Sequence, residues 1–427
     1  MKVFEIEKCK GFLGRQGSAA YKKTSYPVRY GRYSELEYGN YRYQFNLNGE
    51  IKHITGISSD WPHPAEWLKR TIANDWVYYS TGGYYAGVVD LLGEYYLPCP
   101  AYQSNSLFKE NPFVRSSVKS ALKELEHVFS YIYGLSRKKP GIAEDVQRFL
   151  TLVGRNTTEH LQRRSEELHR ILKARITVLP PDCRHVDYDV IPLMIADGCL
   201  YNCSFCEVKS GMDLTCRTRA EIEEQLFALR DFFGSDLPNY NSIYLGQHDA
   251  LAADDEDILF AVSRAYEIFA IKKSYMKEPK LLLFGSGESM LRKDEQFWVH
   301  LNSQPFYTYV NIGLESFDDE TLNVLKKPVS SRVMKKAFRR MLAINKRYAN
   351  IEVTANFLLG DNLPEGHIPS LIRQINTDLK GTGISGKGSI YLSPLKGSSN
   401  TNRLLKEFRA IKRESRLQTF LYLIQRL

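Results

Sequence analysis

The sequence predicts an α/β protein: a partial (β/α)6 barrel over residues 181–400, preceded by an additional α+β domain at 1–180 and followed by a C-terminal helix at 401–427. Three observations predict it. From about residue 186, short apolar runs alternate with longer segments of helical period, which is how repeated βα units around a parallel sheet read in sequence. Six such runs are too few for a closed eight-unit barrel and suit an open or three-quarter one. The first 180 residues have a different texture, rich in Tyr and Gly.

The expected strands are Val190 to Ala196, Ser242 to Leu245, Lys280 to Phe284, Tyr307 to Ile312, Ile351 to Phe357 and Ser389 to Leu392. Helical spacing with charged outer faces falls between them, at Arg219 to Phe233, Glu256 to Ala270, Lys293 to Leu301, Ser331 to Tyr348 and Ile368 to Leu379. An amphipathic segment runs from Thr401 to the end. In the first part, Tyr41-Arg42-Tyr43-Gln44-Phe45 alternates like a strand, and Val114 to about Ala174 reads as helix. There is no internal repeat and no low-complexity tract.

With 427 residues, 43% hydrophobic and 25% charged, the chain has the composition of a soluble globular protein. No run approaches the roughly 18 apolar residues of a membrane span, and Met1-Lys2-Val3-Phe4-Glu5 lacks a signal-peptide profile, so a cytoplasmic location is expected. The basic excess lies in the N-terminal part: residues 1–180 hold 26 Lys and Arg against 18 Asp and Glu, and residues 181–427 hold 32 against 31. An excess of that size is common on ordinary surfaces, and it leaves nucleic acid a possible, weakly supported partner.

Seven cysteines, an odd number, sit poorly with a disulfide framework. Three are clustered: Cys199, Cys203 and Cys206 form C-x3-C-x2-C directly after the first barrel strand. Three thiolates on one loop can hold three corners of a cubane iron–sulfur cluster and leave the fourth iron open to a small molecule. Structural zinc usually takes four protein ligands from two separated pairs, and no second pair exists here. Cys9, Cys99, Cys183 and Cys216 are isolated and read as buried small hydrophobes.

At this triplet, with aromatic Phe205 just before the last cysteine, the sequence resembles the radical S-adenosylmethionine (radical SAM) superfamily over about residues 186–400. The resemblance implies a radical SAM barrel and a 4Fe-4S cluster on Cys199, Cys203 and Cys206. Its open iron would chelate the amino and carboxylate groups of S-adenosyl-L-methionine (SAM). One-electron reduction would then cleave SAM to methionine and a 5′-deoxyadenosyl radical that takes hydrogen from a substrate. An electron donor such as flavodoxin or ferredoxin is implied as a partner, and the protein's share is to orient the cofactor and exclude water.

In parallel α/β folds the binding face lies beyond the carboxyl ends of the strands. By resemblance, Gly246, Gln247 and Asp249 would receive the SAM amino group, although Gly246-Gln247-His248-Asp249 departs from the family's usual Gly-Gly-Glu. Ser286 would line the site, with Gly287 a weaker candidate. Within Gly313-Leu314-Glu315-Ser316, Glu315 would accept from the ribose hydroxyls and Ser316 would add a polar contact. Asn356 and Gly360, in Asn356-Phe357-Leu358-Leu359-Gly360, would support the adenine. Arg217 and Arg219 could fork onto the SAM carboxylate or form ordinary helix-start salt bridges. The N-terminal domain would bind the substrate, a small molecule, peptide or protein side chain, or another partner. Two alternatives stand beside this reading: a tRNA-modifying radical SAM enzyme that uses the N-terminal domain as an RNA platform, and a non-enzymatic, zinc-stabilised nucleic-acid-binding module.

Overall fold

The computed structural model describes residues 1–21, 28–80, 97–100, 111–138, 141–176, 178–182, 189–201, 203–206, 211–246, 248–380, 386–395, 398, 401–422 and 427. Among them, no helix is long and apolar enough to cross a membrane.

The N-terminal part is an eight-stranded antiparallel meander in sequential order: β1 (Lys2–Ile6), β2 (Cys9–Gln16), β3 (Arg32–Tyr38), β4 (Tyr41–Phe45), β5 (Ile51–Gly56), β6 (Trp67–Arg70), β7 (Trp76–Ser80) and β8 (Leu97–Pro100). Tight connections such as Gly39-Asn40, where Gly39 takes φ +57°, make hairpins of the aromatic runs. Helices Ser116–Lys138, Glu144–Arg155 and Thr158–Leu172 follow, and Phe149 sets its ring edge-on to Phe4 and Phe45 of the sheet.

The second part is a parallel sheet of seven strands, hydrogen-bonded in chain order from Ile191–Leu193 at one edge to Thr419–Leu421 at the other. Its strands are β9 (Ile191–Leu193), β12 (Ser242–Leu245), β13 (Lys280–Ser286), β14 (Tyr307–Glu315), β15 (Ile351–Leu359), β16 (Ile390–Pro394) and β17 (Thr419–Leu421). A short antiparallel pair, β10 (Ala196–Asp197) and β11 (Thr215–Cys216), stands beside it. Helices Arg219–Phe233, Asp255–Ile268, Ser331–Arg347, His367–Asp378 and Thr401–Glu414 lie between successive strands. Leu281, Leu282 and Leu283 are fully buried in succession, as a strand covered on both faces requires.

Three expectations are corrected. The C-terminal segment is not helical to its end: the helix stops at Glu414, and Thr419–Leu421 adds a seventh strand parallel to β16. A three-residue strand is too short to show alternation beside a strongly amphipathic helix. The strands β13, β14 and β15 also run on through Ser286, Glu315 and Leu359, so their motifs begin on strand ends rather than in loops. The basic excess is not mainly N-terminal. Residues 331–427 hold 18 Lys and Arg against 6 Asp and Glu, while 181–330 hold 14 against 25, and adding the two windows had concealed both.

Strand register places Leu282, Phe284, Tyr309, Asn311, Thr354, Asn356 and Tyr391 on one face, the inside of the open barrel. The chain joining the two parts enters this interior. The Tyr244 hydroxyl donates to the Val178 carbonyl at 3.3 Å, Tyr422 donates to the Leu179 carbonyl, and Asp182 accepts from Tyr391 at 3.0 Å and Thr354 at 3.2 Å.

Candidate cofactor site at the carboxyl ends of the strands

The cysteine loop is clamped at its neck. Asp197 pairs with Thr215 and Ala196 with Cys216, and the Cys199 amide donates to the Met212 carbonyl at 3.2 Å. Gly198, at φ +76°, leaves no room for a side chain, because an added Cβ would meet the Asp213 carbonyl oxygen at 2.0 Å. Arg217 closes the neck with two 2.8 Å bonds to the Asp197 carboxylate and one to the Leu172 carbonyl. Arg219 pairs outward with Glu256 and Asp257. Both arginines are therefore spent on structural salt bridges, which settles the alternative left open by the sequence.

The loop delivers all three cysteines to one cavity of about 210 Å³ at the carboxyl ends of the strands. Its wall includes Cys199, Cys203, Phe205 and Cys206 from the loop, His248 and Asp249 after β12, Ser286 at the end of β13, and Gly313 and Glu315 on β14. Asn356 of β15, Ser393 and Pro394 of β16, and Lys327 complete the polar side. Val178, Phe284, Leu358, Leu395 and Tyr422 make the rest apolar. Burial pushes the Cys203 thiol up to about 11, partly offset by the Lys327 ammonium, and burial raises Cys199 as well. Among the described residues, no three His, Cys, Asp or Glu side chains converge on a single metal ion.

Asp249 is almost fully buried, and burial raises its pKa against the opposing influence of Ser286, Ser289 and Lys327. Its Oδ1 accepts from the Ser289 hydroxyl at 2.7 Å, while Oδ2 is buried without a hydrogen-bond partner among the described residues. A carboxylate oxygen left bare beside a cavity suits a cationic ligand group. Ser286 caps the helix Gly287–Arg292 and keeps it in register with the wall.

Glu315 has φ +63°, where β14 slips register against β15 between Gly313 and Glu315. A bulge of this kind re-aims a side chain, and it turns Glu315 into the cavity wall. Tyr201, on the cysteine loop, donates to the Glu288 carboxylate; burial first and this contact second push its phenol well above the usual range.

Four expected site residues, Gly246, Gly287, Ser316 and Gly360, do not line the cavity. His367 donates through Nε2 to the Leu358 carbonyl at 2.7 Å, so Nδ1 accepts from the Ser316 hydroxyl at 2.8 Å, and Ser316 is fully buried behind the wall. Gly360 lies against Leu395, where an added Cβ would come within 2.7 Å. Gly246 makes the turn after β12 at φ +73° and donates to the Leu193 carbonyl at 2.7 Å. Gln247 falls outside the described residues, as does Cys183. Cys9 and Cys99 are buried as expected; Cys216 is exposed on β11, contrary to expectation. Tyr201 and Lys327 were missed: one is an unmarked residue between two cysteines, and the other follows the short helix Asp319–Val324 with no motif around it.

The arrangement defines a class: an open parallel α/β barrel with a cysteine-bearing loop at the carboxyl end of its first strand. No protein-family model matches the chain, and no curated protein matches it. Among solved structures it is similar to a radical SAM methyltransferase from Sphaerobacter thermophilus, at 17% identity and a TM-score of 0.38, over 55% of this chain and 65% of that one. The cobalamin-dependent S-adenosylmethionine radical enzyme OxsB gives 17% identity and a TM-score of 0.34, over 52% of this chain and 30% of its own. SuiB of Streptococcus suis gives 11% identity and a TM-score of 0.37, over 86% of this chain and 72% of its own. The chain thus spans less than two thirds of the length of the first two.

Proposed function

We propose that the chain is a radical SAM enzyme acting on a substrate not yet identified. One observation carries the reading: the three cysteines of C-x3-C-x2-C share a single cavity with Asp249, Ser286, Glu315 and Asn356, each from a different strand or the turn that follows it. The donor set fits the implied group, since three thiols, that of Cys203 buried and those of Cys199 and Cys206 half-buried, line the same cavity as a carboxylate oxygen that has no hydrogen-bond partner among the described residues.

Cys199, Cys203 and Cys206 would hold three irons of a 4Fe-4S cluster, and SAM would lie against the fourth. The bound pair supplies reductive cleavage of a carbon–sulfur bond and removal of hydrogen from a substrate. Asp249 receives the amino group, Glu315 the ribose hydroxyls and Asn356 the adenine. Val178, Phe284, Leu358, Leu395 and Tyr422 keep water from the reacting end, and Lys327 holds a positive charge beside the thiolates. The N-terminal domain offers a surface for the substrate or another partner, and a flavodoxin or ferredoxin is the class of donor that supplies the electron.

Anaerobic reconstitution with iron and sulfide tests the reading. The expected protein is brown, carries about four irons and four sulfides per chain, and forms 5′-deoxyadenosine from SAM under a strong reductant. A colourless protein that takes zinc but neither iron nor sulfide would overturn it.

A further inference from the structure

We propose that Asp182, brought into the barrel by the segment joining its two parts, is a positioning residue that fixes the hydrogen-bond direction of Asn356 and makes it a donor to the nucleotide base. The inference rests on the reading of the cavity as a SAM site and assigns a role to a residue outside its wall.

The chain of contacts runs across the inner face of three strands. Asp182 is fully buried, and its carboxylate accepts from the Tyr391 hydroxyl at 3.0 Å and the Thr354 hydroxyl at 3.2 Å. A hydroxyl has one proton, so Thr354, having given its own to Asp182, is left as an acceptor. It accepts from Asn311 Nδ2 at 2.8 Å, and the same nitrogen reaches Asn356 Oδ1 at 3.4 Å. With its oxygen turned to Asn311, Asn356 offers the cavity its Nδ2 group. Asn311 leaves its own Oδ1 buried with no hydrogen-bond partner among the described residues. Turning the amide over would set an oxygen against Thr354, whose proton is committed, so the acceptor oxygens of Asp182 hold each partner in one orientation.

Asn356 therefore takes a hydrogen-bond acceptor from its ligand, such as a purine ring nitrogen, and disfavours a donor placed there. In Asp182→Asn the shape is kept, but one oxygen becomes an NH2 group and the direction of the chain is no longer imposed.

The test is the affinity of the reconstituted holoprotein for S-adenosylhomocysteine, measured by calorimetry with iron content and melting midpoint recorded alongside. Asp182→Asn and Thr354→Val are each expected to weaken binding about tenfold, the worth of one neutral hydrogen bond, with iron content unchanged. In the Asn356→Ala background, either change is expected to add less than twofold, because the relay then ends on nothing. Wild-type binding with undiminished affinity in both single variants would overturn the relay alone, as would losses that add in full to that of Asn356→Ala. Failure of the wild-type holoprotein to bind would overturn the SAM reading and the relay with it.

Discussion

Lys327 reaches across the cavity wall to Glu315, its ammonium 3.2 Å from Oε1 and 2.8 Å from the Gly313 carbonyl oxygen. Both side chains are buried, and the ammonium also lies 5.5 Å from the centre of the Tyr201 ring. A left-handed glutamate on a strand bulge is thereby held from the far side of a helical turn. The pair fixes Oε1; in the proposed site, Oε2 is the oxygen that would meet a ligand hydroxyl.

Lys327→Met is expected to destabilise the protein by about 3 kcal/mol, because removing one partner of a buried pair strands the other charge. Adding Glu315→Gln should recover most of the loss. Urea unfolding of the two variants reads this directly, and an unchanged midpoint in Lys327→Met alone would mean that the carboxylate gains nothing from its partner.

Gly313→Ala tests where the Glu315 carboxylate must stand. An added Cβ would come within 2.4 Å of Glu315 Oε1 and 3.5 Å of the Lys327 ammonium. The carboxylate has to swing away, since 2.4 Å is well inside contact distance. S-adenosylhomocysteine affinity is expected to fall at least tenfold, an effect of the size of a displaced charged hydrogen bond. Retained affinity would place ligand binding elsewhere in the cavity.

Much of the barrel was legible because its strands are buried on both faces and its helices on one, which leaves apolar runs and 3.6-residue periods. Ser242–Leu245 and Arg219–Phe233 appear with the expected boundaries. The cysteine loop was legible because closely spaced thiols are rare. The failures share a cause: each depends on what a side chain meets in space. Ser316 follows Glu315 in sequence, yet a buried histidine from another helix claims its hydroxyl. Lys327 enters the wall from beyond a short helix, and Val178 and Tyr422 enter it from opposite ends of the barrel sequence. No local period reports such pairings.

The junction between the two parts carries a pH dependence. Asp236, at the barrel end of the chain after Phe233, accepts from the Leu47 amide at 3.0 Å and from Asn239 Nδ2 at 2.7 Å. Burial pushes its carboxyl up to about 7. The folded state holds this proton more tightly than the unfolded state, so the stabilisation is complete below about pH 4 and is lost as pH rises through about 7. Asp236→Asn, neutral at every pH, is expected to flatten that part of the profile, by about 1.4 kcal/mol per pH unit for one proton. Urea midpoints from pH 4.5 to 7.5 check it, and parallel profiles for the two proteins would show that Asp236 titrates normally.

Cys203→Ala separates the loop's architecture from its chemistry. The neck is held by the β10–β11 pairing and the Arg217–Asp197 fork, and the loop's far side by Ser204, whose amide and hydroxyl both donate to the Leu325 carbonyl at 3.0 and 3.1 Å. None of these contacts uses the Cys203 sulfur. The variant is therefore expected to fold with a circular dichroism spectrum like that of the wild type, to lose most of its iron on reconstitution, and to form no 5′-deoxyadenosine. Cys216→Ala provides the control, because its thiol is exposed on the outside of the neck, and it should keep the full iron content. Equal iron in the two variants would mean that the triplet is not the ligand set, and 5′-deoxyadenosine from Cys203→Ala would exclude that sulfur from the chemistry.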